Sequence, residues 1–354
     1  VGRDVTYQEL KSIFDLVVIS VGMEYPRRLS IPGADTKGVV SATDFVGWYN
    51  AVPDFVDCSA SVSKAKSAVV IGNGNVALDI ARLLAKNGSE LAKTDIDPRA
   101  GQCLASSEIE DIYVVGRRGP AEANFSFPEL SELGDLEDAV PVVDQSLFPV
   151  NLDSIDQSVR KKKERNLRVL ESFSRLVRGE RKVRLHLRFC ASPLKIVGEE
   201  HVTGINLGKN EVLDGVAKAT GEEFIIPTDL VIPAIGYASK PMDGVPYDVK
   251  TGQVSNVDGM VENGVYVVGW ARRGSNGVIG TNRVDAREVI GLINPEVLPR
   301  KGLGVSELRA LLDSRNVKVV DAEQWQTIDM AEMSRAEGGR PRVKFNNIQA
   351  MLAI

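Results

Sequence analysis

The order of strand-like and helix-like segments predicts an α/β protein built on doubly wound, mostly parallel sheets. Three observations carry this. Residues 14–21, 67–71 and 111–115 are apolar, β-branched runs, and each stops at a glycine: Gly22, Gly72 and Gly116. Buried strands end this way before a turn. A segment with apolar residues at helical spacing, 76–86, follows the second run. Strands and helices then alternate along most of the chain, which favours helices on both faces of a parallel sheet.

Taken in order, residues 1–6 are turn-like and 7–12 form a brief helix or loop. Residues 14–21 are the first buried strand. Pro26 and then Ile31-Pro32-Gly33 interrupt the pattern. Residues 67–71 are a strand and 76–86 a helix, with Asn87-Gly88 as its C-terminal cap. Residues 111–115 are the next strand. Residues 128–136 read as a short helix opened by Pro128. The charged stretch 157–178 is helical. Residues 183–189 alternate like an antiparallel strand and open a β-meander that runs to about 228. Residues 229–235 and 265–268 are strands ending at Gly236 and Gly269, and 277–293 is a helix. From Pro295 the pattern becomes a helical tail, with Gly338-Gly339 as a late break.

A length of 354 residues suggests about two domains. The net charge of −5 argues against nucleic acid as the main partner, and no aromatic residues interleave the basic ones. No apolar run approaches the ~18 residues that span a bilayer, so membrane insertion is not expected. No basic-then-apolar leader opens the chain. The three cysteines stand far apart with no CxxC pair, which excludes a thioredoxin-type dithiol and a self-contained iron–sulfur cluster. They read as small buried hydrophobes. Two histidines cannot build a histidine-rich metal site, so no metal is expected. A reducing, cytoplasmic compartment fits this cysteine usage.

The segment Gly72-Asn73-Gly74-Asn75-Val76-Ala77 lies between a strand and a helix and matches the dinucleotide-binding pattern of Rossmann-like folds. Gly72 permits the tight turn, Gly74 lets the backbone approach a pyrophosphate, and Ala77 is small enough for close packing of helix on strand. The helix start near Asn75 and Val76 would turn free amides and a positive dipole end toward phosphate. The plainer reading is an ordinary glycine-rich turn. NAD sites place an acidic residue at the end of the second strand. Here that strand runs into Arg117-Arg118, two guanidinium groups suited to a 2′-phosphate. That points to NADP, although residues 89–110 delay the strand, and a paired arginine also occurs in solvated turns.

These residues and several others resemble a family, the adrenodoxin reductases and their bacterial ferredoxin–NADP reductase relatives. Val70 to Arg82 is similar almost letter for letter to the family's NADP turn. So are Thr94-Asp95-Ile96, Gly116-Arg117-Arg118-Gly119-Pro120 with Phe125, and Glu129-Leu130 with Glu132-Leu133. Asp44 to Asn50, Ile235-Gly236-Tyr237, Gly269-Trp270, Arg273-Gly274 and Gly277 to Asn282 follow in family order, and Gly339 to Lys344 resembles the bacterial C-terminal part. The resemblance implies that Gly72, Gly74, Asn75, Val76, Arg117, Arg118 and Glu129 lie on NADP. It places Trp270, Gly277, Val278 and Ile279 on FAD, where the amides of a helix start would stabilise negative charge on the reduced ring. Glu132, three residues after Glu129, would stand near the nicotinamide as the catalytic candidate that manages protons. A surface glutamate is the alternative.

The resemblance further implies a two-domain flavoprotein whose FAD domain is discontinuous, with the NADP domain inserted. The expected limits are 1–30 for the remainder of the FAD domain, 31–237 for the NADP domain, 238–300 for the second FAD segment and 301–354 for a helical extension. The reaction would be hydride transfer between NADPH and FAD, then single-electron exchange with a ferredoxin-like iron–sulfur protein. Two departures stand out. Arg272, Ser275 and Asn276 replace the family's usual lysine, proline and threonine. The family's first glycine fingerprint, for the ADP half of FAD, is absent, so roughly a hundred residues are expected to be missing at the start. A non-catalytic NADP(H)-binding module, or the NADPH-oxidising subunit of a larger flavin complex, therefore remain alternatives. The basic run Arg160-Lys161-Lys162-Lys163-Glu164-Arg165 reads as a solvated helix face or as a steering patch for an acidic ferredoxin.

Overall fold

Buried apolar side chains gather in four clusters, two in each of the units into which the chain divides. One unit comprises Val1–Arg27 and Gly236–Trp325, the other Arg28–Ile235 and Gln326–Ile354. The computed structural model describes residues 1–149, 152, 156–277 and 279–354. In chain order the divisions fall after Arg27, Ile235 and Trp325.

The first unit opens with α1 (Tyr7–Ile13). Its start is a capping box: Thr6 Oγ1 accepts from the Glu9 amide, and the Glu9 carboxylate accepts from the Thr6 amide at 2.8 Å. Then comes β1 (Val17–Ile19).

The second unit carries the larger core. α2 (Ala42–Tyr49), capped by Ser41, packs against α3 (Asn75–Ala85), which follows β2 (Ser67–Ile71). Then come β3 (Asp111–Val115), α4 (Phe127–Ser131), β4 (Ala139–Val143), α5 (Gln157–Phe173) and β5 (Val183–Arg188). β6 (Ala191–Val197), β7 (Gly204–Leu213) and β8 (Val216–Pro227) precede β9 (Leu230–Pro233). The five parallel strands stand in the order β9-β2-β3-β5-β4. Val69, Val70, Ile112 and Val114 are fully buried, as a sheet covered on both faces requires.

Three expectations from the sequence are corrected here. Residues 183–189 were read as antiparallel, yet β5 runs parallel to both β3 and β4. Its alternation has another cause: Arg184 and His186 on one face bond to Asp111 of β3, so that face is polar without being solvated like an open sheet. The meander is β6-β7-β8 alone, with Asp214 and Gly215 at positive φ in the tight link between its longer strands. Asn87 does not close α3. It is the N-cap of the next helix, Gly88–Ala92, in a capping box with Glu90. The helix read over 128–136 is α4 followed by a 3₁₀ turn, Glu132–Asp135.

The end of the chain is tied to this same unit. Lys344 pairs with Asp95 at 2.9 Å, and Arg340 donates to the Ile96 carbonyl at 3.1 Å.

In the first unit, β10 (Met260–Glu262) and β11 (Val265–Val267) complete a sheet of order β1-β11-β10, with β1 parallel to β11. α6 (Trp270–Arg273) and α7 (Ile279–Gly291) follow β11.

Candidate functional site

The turn after β2 is shaped by crowding on one side and space on the other. Gly72 has φ +142°, and a Cβ there would lie 2.3 Å from the Ala234 carbonyl oxygen, which belongs to the backbone just past β9. No larger residue fits without moving that strand end. Two residues on, Gly74 caps α3 in an extended conformation, and a Cβ there would meet nothing within 4 Å. Gly74 offers no side chain to the first turn of α3; the Ala77 amide donates to the Gly74 carbonyl at 3.1 Å, which leaves the Asn75 and Val76 amides for an external acceptor. Asn75 braces the turn from within: its Oδ1 accepts from the Ser126 amide at 2.7 Å, and the Asn73 carbonyl accepts from the Asn124 amide at 2.9 Å. Val76 is half-buried at the helix start.

The end of β3 stands beside this turn, since Val70 pairs with Val114 and Ile71 with Val115. Gly116 is needed there because a Cβ would strike the Asn73 carboxamide, at 1.6 Å from Nδ2. Arg117 is exposed and Arg118 half-buried. Their backbone is fixed, with the Arg117 carbonyl accepting from Asn210 Nδ2 at 2.8 Å and the Arg118 carbonyl from the Cys190 amide at 3.0 Å. Neither guanidinium has a carboxylate within ion-pair distance among the described residues.

Helix α5 lies against the segment that follows. Asn166, almost wholly buried, donates to the Phe125 carbonyl at 3.0 Å, and the Arg165 guanidinium stacks over the Phe127 ring at 3.4 Å. Lys163 donates to the Ala123 carbonyl. Burial pushes the Lys163 ammonium below the usual lysine range, Lys162 and Arg118 add to that by repulsion, and Glu122 opposes it. On α4, Glu129 Oε2 is buried and has no partner among the described residues. A buried acceptor left open in this way fits a donor from outside the chain.

The other glycine turn, in the first unit, is built differently. Gly269 has φ +68° and its amide donates to Asp285 at 2.5 Å. Asp285 is 3% exposed and also holds Arg272 at 2.5 Å and Arg273 at 3.2 Å. Trp270 Nε1 donates to the Asn276 carbonyl, and the Trp270 ring stacks on Tyr237 with centroids 5.9 Å apart. Gly277, at φ +81°, leads into α7, whose first residue, Ile279, is 89% exposed. Val278 lies outside the described residues.

No family model matches the chain. Individual relatives do. The NADPH-ferredoxin reductase FprA of Mycobacterium tuberculosis is 39% identical over 375 aligned residues, which cover 100% of this chain and 81% of that protein. The mitochondrial NADPH:adrenodoxin oxidoreductase of Bos taurus is 37% identical, across 100% of this chain and 76% of that protein. The structure of the Mycobacterium tuberculosis FprA in complex with NADPH superposes with a TM-score of 0.91, covering 100% of this chain and 81% of that one at 38% identity. The chain belongs to the adrenodoxin reductase and ferredoxin–NADP reductase family.

Of the site residues read from the sequence, the structure gathers Gly72, Gly74, Asn75, Val76, Arg117, Arg118 and Glu129 around one end of the parallel sheet. Trp270, Gly277 and Ile279 share the second glycine turn. Glu132 is exposed at the head of the 3₁₀ turn and is paired with Arg82 of α3. Sequence reasoning missed Asn73 and Gly116, which interlock, and Lys163 and Asn166, which join α5 to the nucleotide end. The basic run had pointed at Lys163, but nothing in its composition shows that Lys163 turns inward. Asn166 inside a charged helix was the available signal, since a lone amide there usually answers a buried carbonyl.

At the other end of this reductase sheet an open cavity of about 1090 Å³ is lined by Lys66, Asp111, Tyr113, Arg178 and Lys182, among others. Two of its charged side chains are engaged: Arg178 donates to the Arg181 and Lys182 carbonyls, and Asp111 accepts from Arg184 and from His186 Nε2 at 2.8 Å. The glycine turn after β2, with an open helix start and two guanidiniums that have no carboxylate partner among the described residues, is the better candidate for an anionic ligand. No group of His, Cys, Asp or Glu among the described residues could hold a metal ion, and no helix is long and apolar enough to cross a membrane.

Proposed function

We propose that Gly72, Gly74, Asn75, Val76, Arg117, Arg118 and Glu129 hold NADP(H), and that Trp270, Gly277, Val278 and Ile279 contact FAD. The protein is an NADPH-dependent flavoprotein reductase that passes electrons to a ferredoxin-like iron–sulfur protein. When bound, NADPH supplies a hydride, and FAD allows the electron pair to leave one electron at a time. The chain's own part is binding, alignment and charge. Gly74 leaves room for a pyrophosphate at the α3 amides. Asn75, already bonded to Ser126, keeps that opening in shape. Arg117 and Arg118 offer charge-assisted bonds to a 2′-phosphate. Glu129 presents its open oxygen to a hydroxyl or amide donor.

In the first unit, the Asp285 ion pairs hold Arg272 and Arg273 against the turn. Two guanidiniums against one carboxylate leave net positive charge under Gly269 and Trp270, which favours negative charge on a ring seated there. The family's usual lysine, proline and threonine are thus replaced by a loop with its own clamp. We propose the second unit as the NADP domain and the first as part of the FAD domain. For Glu132 we propose orientation of the nicotinamide end. Its ion pair with Arg82 ties it to α3, as an orienting role requires. Glu132→Gln should lower kcat with ferricyanide by less than about tenfold, a loss of under ~1.4 kcal/mol in transition-state stabilisation. A hundredfold loss would show direct proton handling. A cytoplasmic location belongs to this proposal and is supported by three free cysteines; cell fractionation tests it.

The observation that carries the reading is the open α3 start beside two arginines that have no carboxylate partner among the described residues. Fluorescence titration of the protein with NADPH and NADH tests it. NADPH should bind at least about tenfold tighter, the yield of a single charge-assisted bond. Equal affinities would remove the nucleotide assignment.

A further inference from the structure

We infer that Lys163 is a positioning residue that sets the preference for NADPH over NADH, by holding the Ala123 carbonyl and adding a third positive charge beside Arg118. The inference rests on the nucleotide reading above and extends it to a helix that the dinucleotide motif does not include.

The basic run of α5 splits in two. Lys161 and Lys162 are exposed, as a solvated face requires, whereas Lys163 is half-buried against the segment between the arginine pair and α4. That segment, residues 119–126, joins the 2′-phosphate arginines to the Glu129 helix. It is fixed at four points: Asn124 to Asn73, Ser126 to Asn75, Ala123 to Lys163 and Phe125 to Asn166. Two anchors belong to the glycine turn and two come from α5. Asn166, one turn further along α5, holds Phe125 in the same way. If scaffolding were the whole role, the neutral amide of Asn166 shows what suffices.

α5 packs against residues 120–122, just past Arg118, so Lys163 brings a cation close to Arg118 and Lys162, with Glu122 as the opposing charge. Like charges gathered in a partly buried place weaken the apo state and strengthen binding of an anion that neutralises them. The anion present in NADPH and absent from NADH is the 2′-phosphate, with close to two negative charges at neutral pH. Lys163 therefore distinguishes the two nucleotides through charge, and Arg118 keeps the direct contact.

The test measures Kd and steady-state constants for NADPH and NADH, with adenosine 2′,5′-bisphosphate and 5′-AMP as probes that lack the nicotinamide. Lys163→Met should raise Kd and KM for NADPH about tenfold, the value of one charge-assisted interaction. It should leave kcat and the NADH constants within about twofold, which is ~0.4 kcal/mol. The bisphosphate should weaken as NADPH does, and 5′-AMP should not change. Lys163→Arg should recover most of the preference. Equal losses for NADPH and NADH would reduce Lys163 to a prop for the segment, and no loss would remove its role altogether. If the methionine variant does not fold, Lys163→Gln keeps a donor for Ala123 without the charge. A lost preference in that variant supports the inference, and a kept one overturns it. A wild-type protein that binds both nucleotides equally would instead sink the nucleotide reading, so the two failures are separable.

Discussion

The two ends of the second unit's parallel sheet use the same kinds of residue to opposite effect. At the carboxyl end, Arg117 and Arg118 follow β3 with no carboxylate in ion-pair reach among the described residues, and the Asn75 and Val76 amides of α3 are left for an external acceptor. At the amino end of the same strands, the two carboxylates Asp111 and Asp229 are taken up by neighbours in the fold. Asp111 accepts from Arg184 and His186, His186 stacks on Tyr113 at 4.4 Å, and Asp229 accepts from the Lys66 and Ser67 amides at 2.9 and 3.3 Å. Both ends are rich in charge, so composition does not separate them. Pairing does. An end that spends its charges internally stabilises the fold, and an end that leaves them open is ready for a ligand.

The comparison predicts that substitutions at the two ends fail in different assays. Replacing Arg117 and Arg118 together by glutamine should weaken NADPH by about 2–4 kcal/mol, or roughly 30- to 1000-fold, through lost charge-assisted bonds. The Tm should stay within about 2 °C, because neither guanidinium has an ion-pair partner among the described residues whose loss would cost stability. A large drop in Tm with unchanged affinity would invert the assignment of the ends.

Asp111→Asn probes the closed end. It removes the charge that Arg184 and His186 share, at a cost of about 1–3 kcal/mol, since Arg184 is partly solvated and the pair is discounted accordingly. Thermal unfolding should shift down by roughly 2–10 °C. Affinity for NADPH should hold within about twofold, because the sites lie at opposite ends of the strands and share no partner.

The same contrast explains how much could be read in the sequence. The strands β2, β3 and β9, the helix α3 and the glycine turn were legible because each obeys a local rule: β-branched runs, helical spacing, and a glycine where backbone or ligand comes close. The arginine pair was legible by its place after a strand. The direction of β5 was not. Arg184 and His186 imitate the alternation of a half-solvated strand, and only the position of Asp111 on the neighbouring strand shows that their face is closed. Asn87 failed similarly, since Asn-Gly after a helix suits a C-cap, but Glu90 three residues on completes an N-cap instead. Asp285, which clamps the second glycine turn, and Lys163, which reaches Ala123, carry no local signal. Their roles depend on what tertiary folding sets opposite them.

Acid provides the gentlest test of the closed end. Burial lowers the pKa of His186, partly offset by its bond to Asp111, while Arg188 and Arg184 lower it further. The folded protein therefore holds His186 neutral with Nε2 donating to Asp111. Burial alone would raise Asp111, but the bonds from Arg184 and His186 outweigh it and leave the carboxyl below its usual range. Both folded values lie under their unfolded ones, so the unfolded chain binds more protons as pH falls. The stabilisation is complete above the unfolded histidine value of about 6.5. The His186 share is lost as pH falls from there through its folded value. The Asp111 share is full above about 3.9 and lost as pH falls through its own lower value. Tm measured from pH 7.5 to 4.5 should decline below about 6.5 in the wild type. In His186→Gln, which keeps an N–H donor toward Asp111 without a titrating ring, that decline should flatten. NADPH affinity at pH 7.5 should be the same in both proteins, since the change is confined to the paired end. An undiminished acid decline in the glutamine variant would mean that His186 is not the group being charged, and the closed network would lose its claim to the pH dependence.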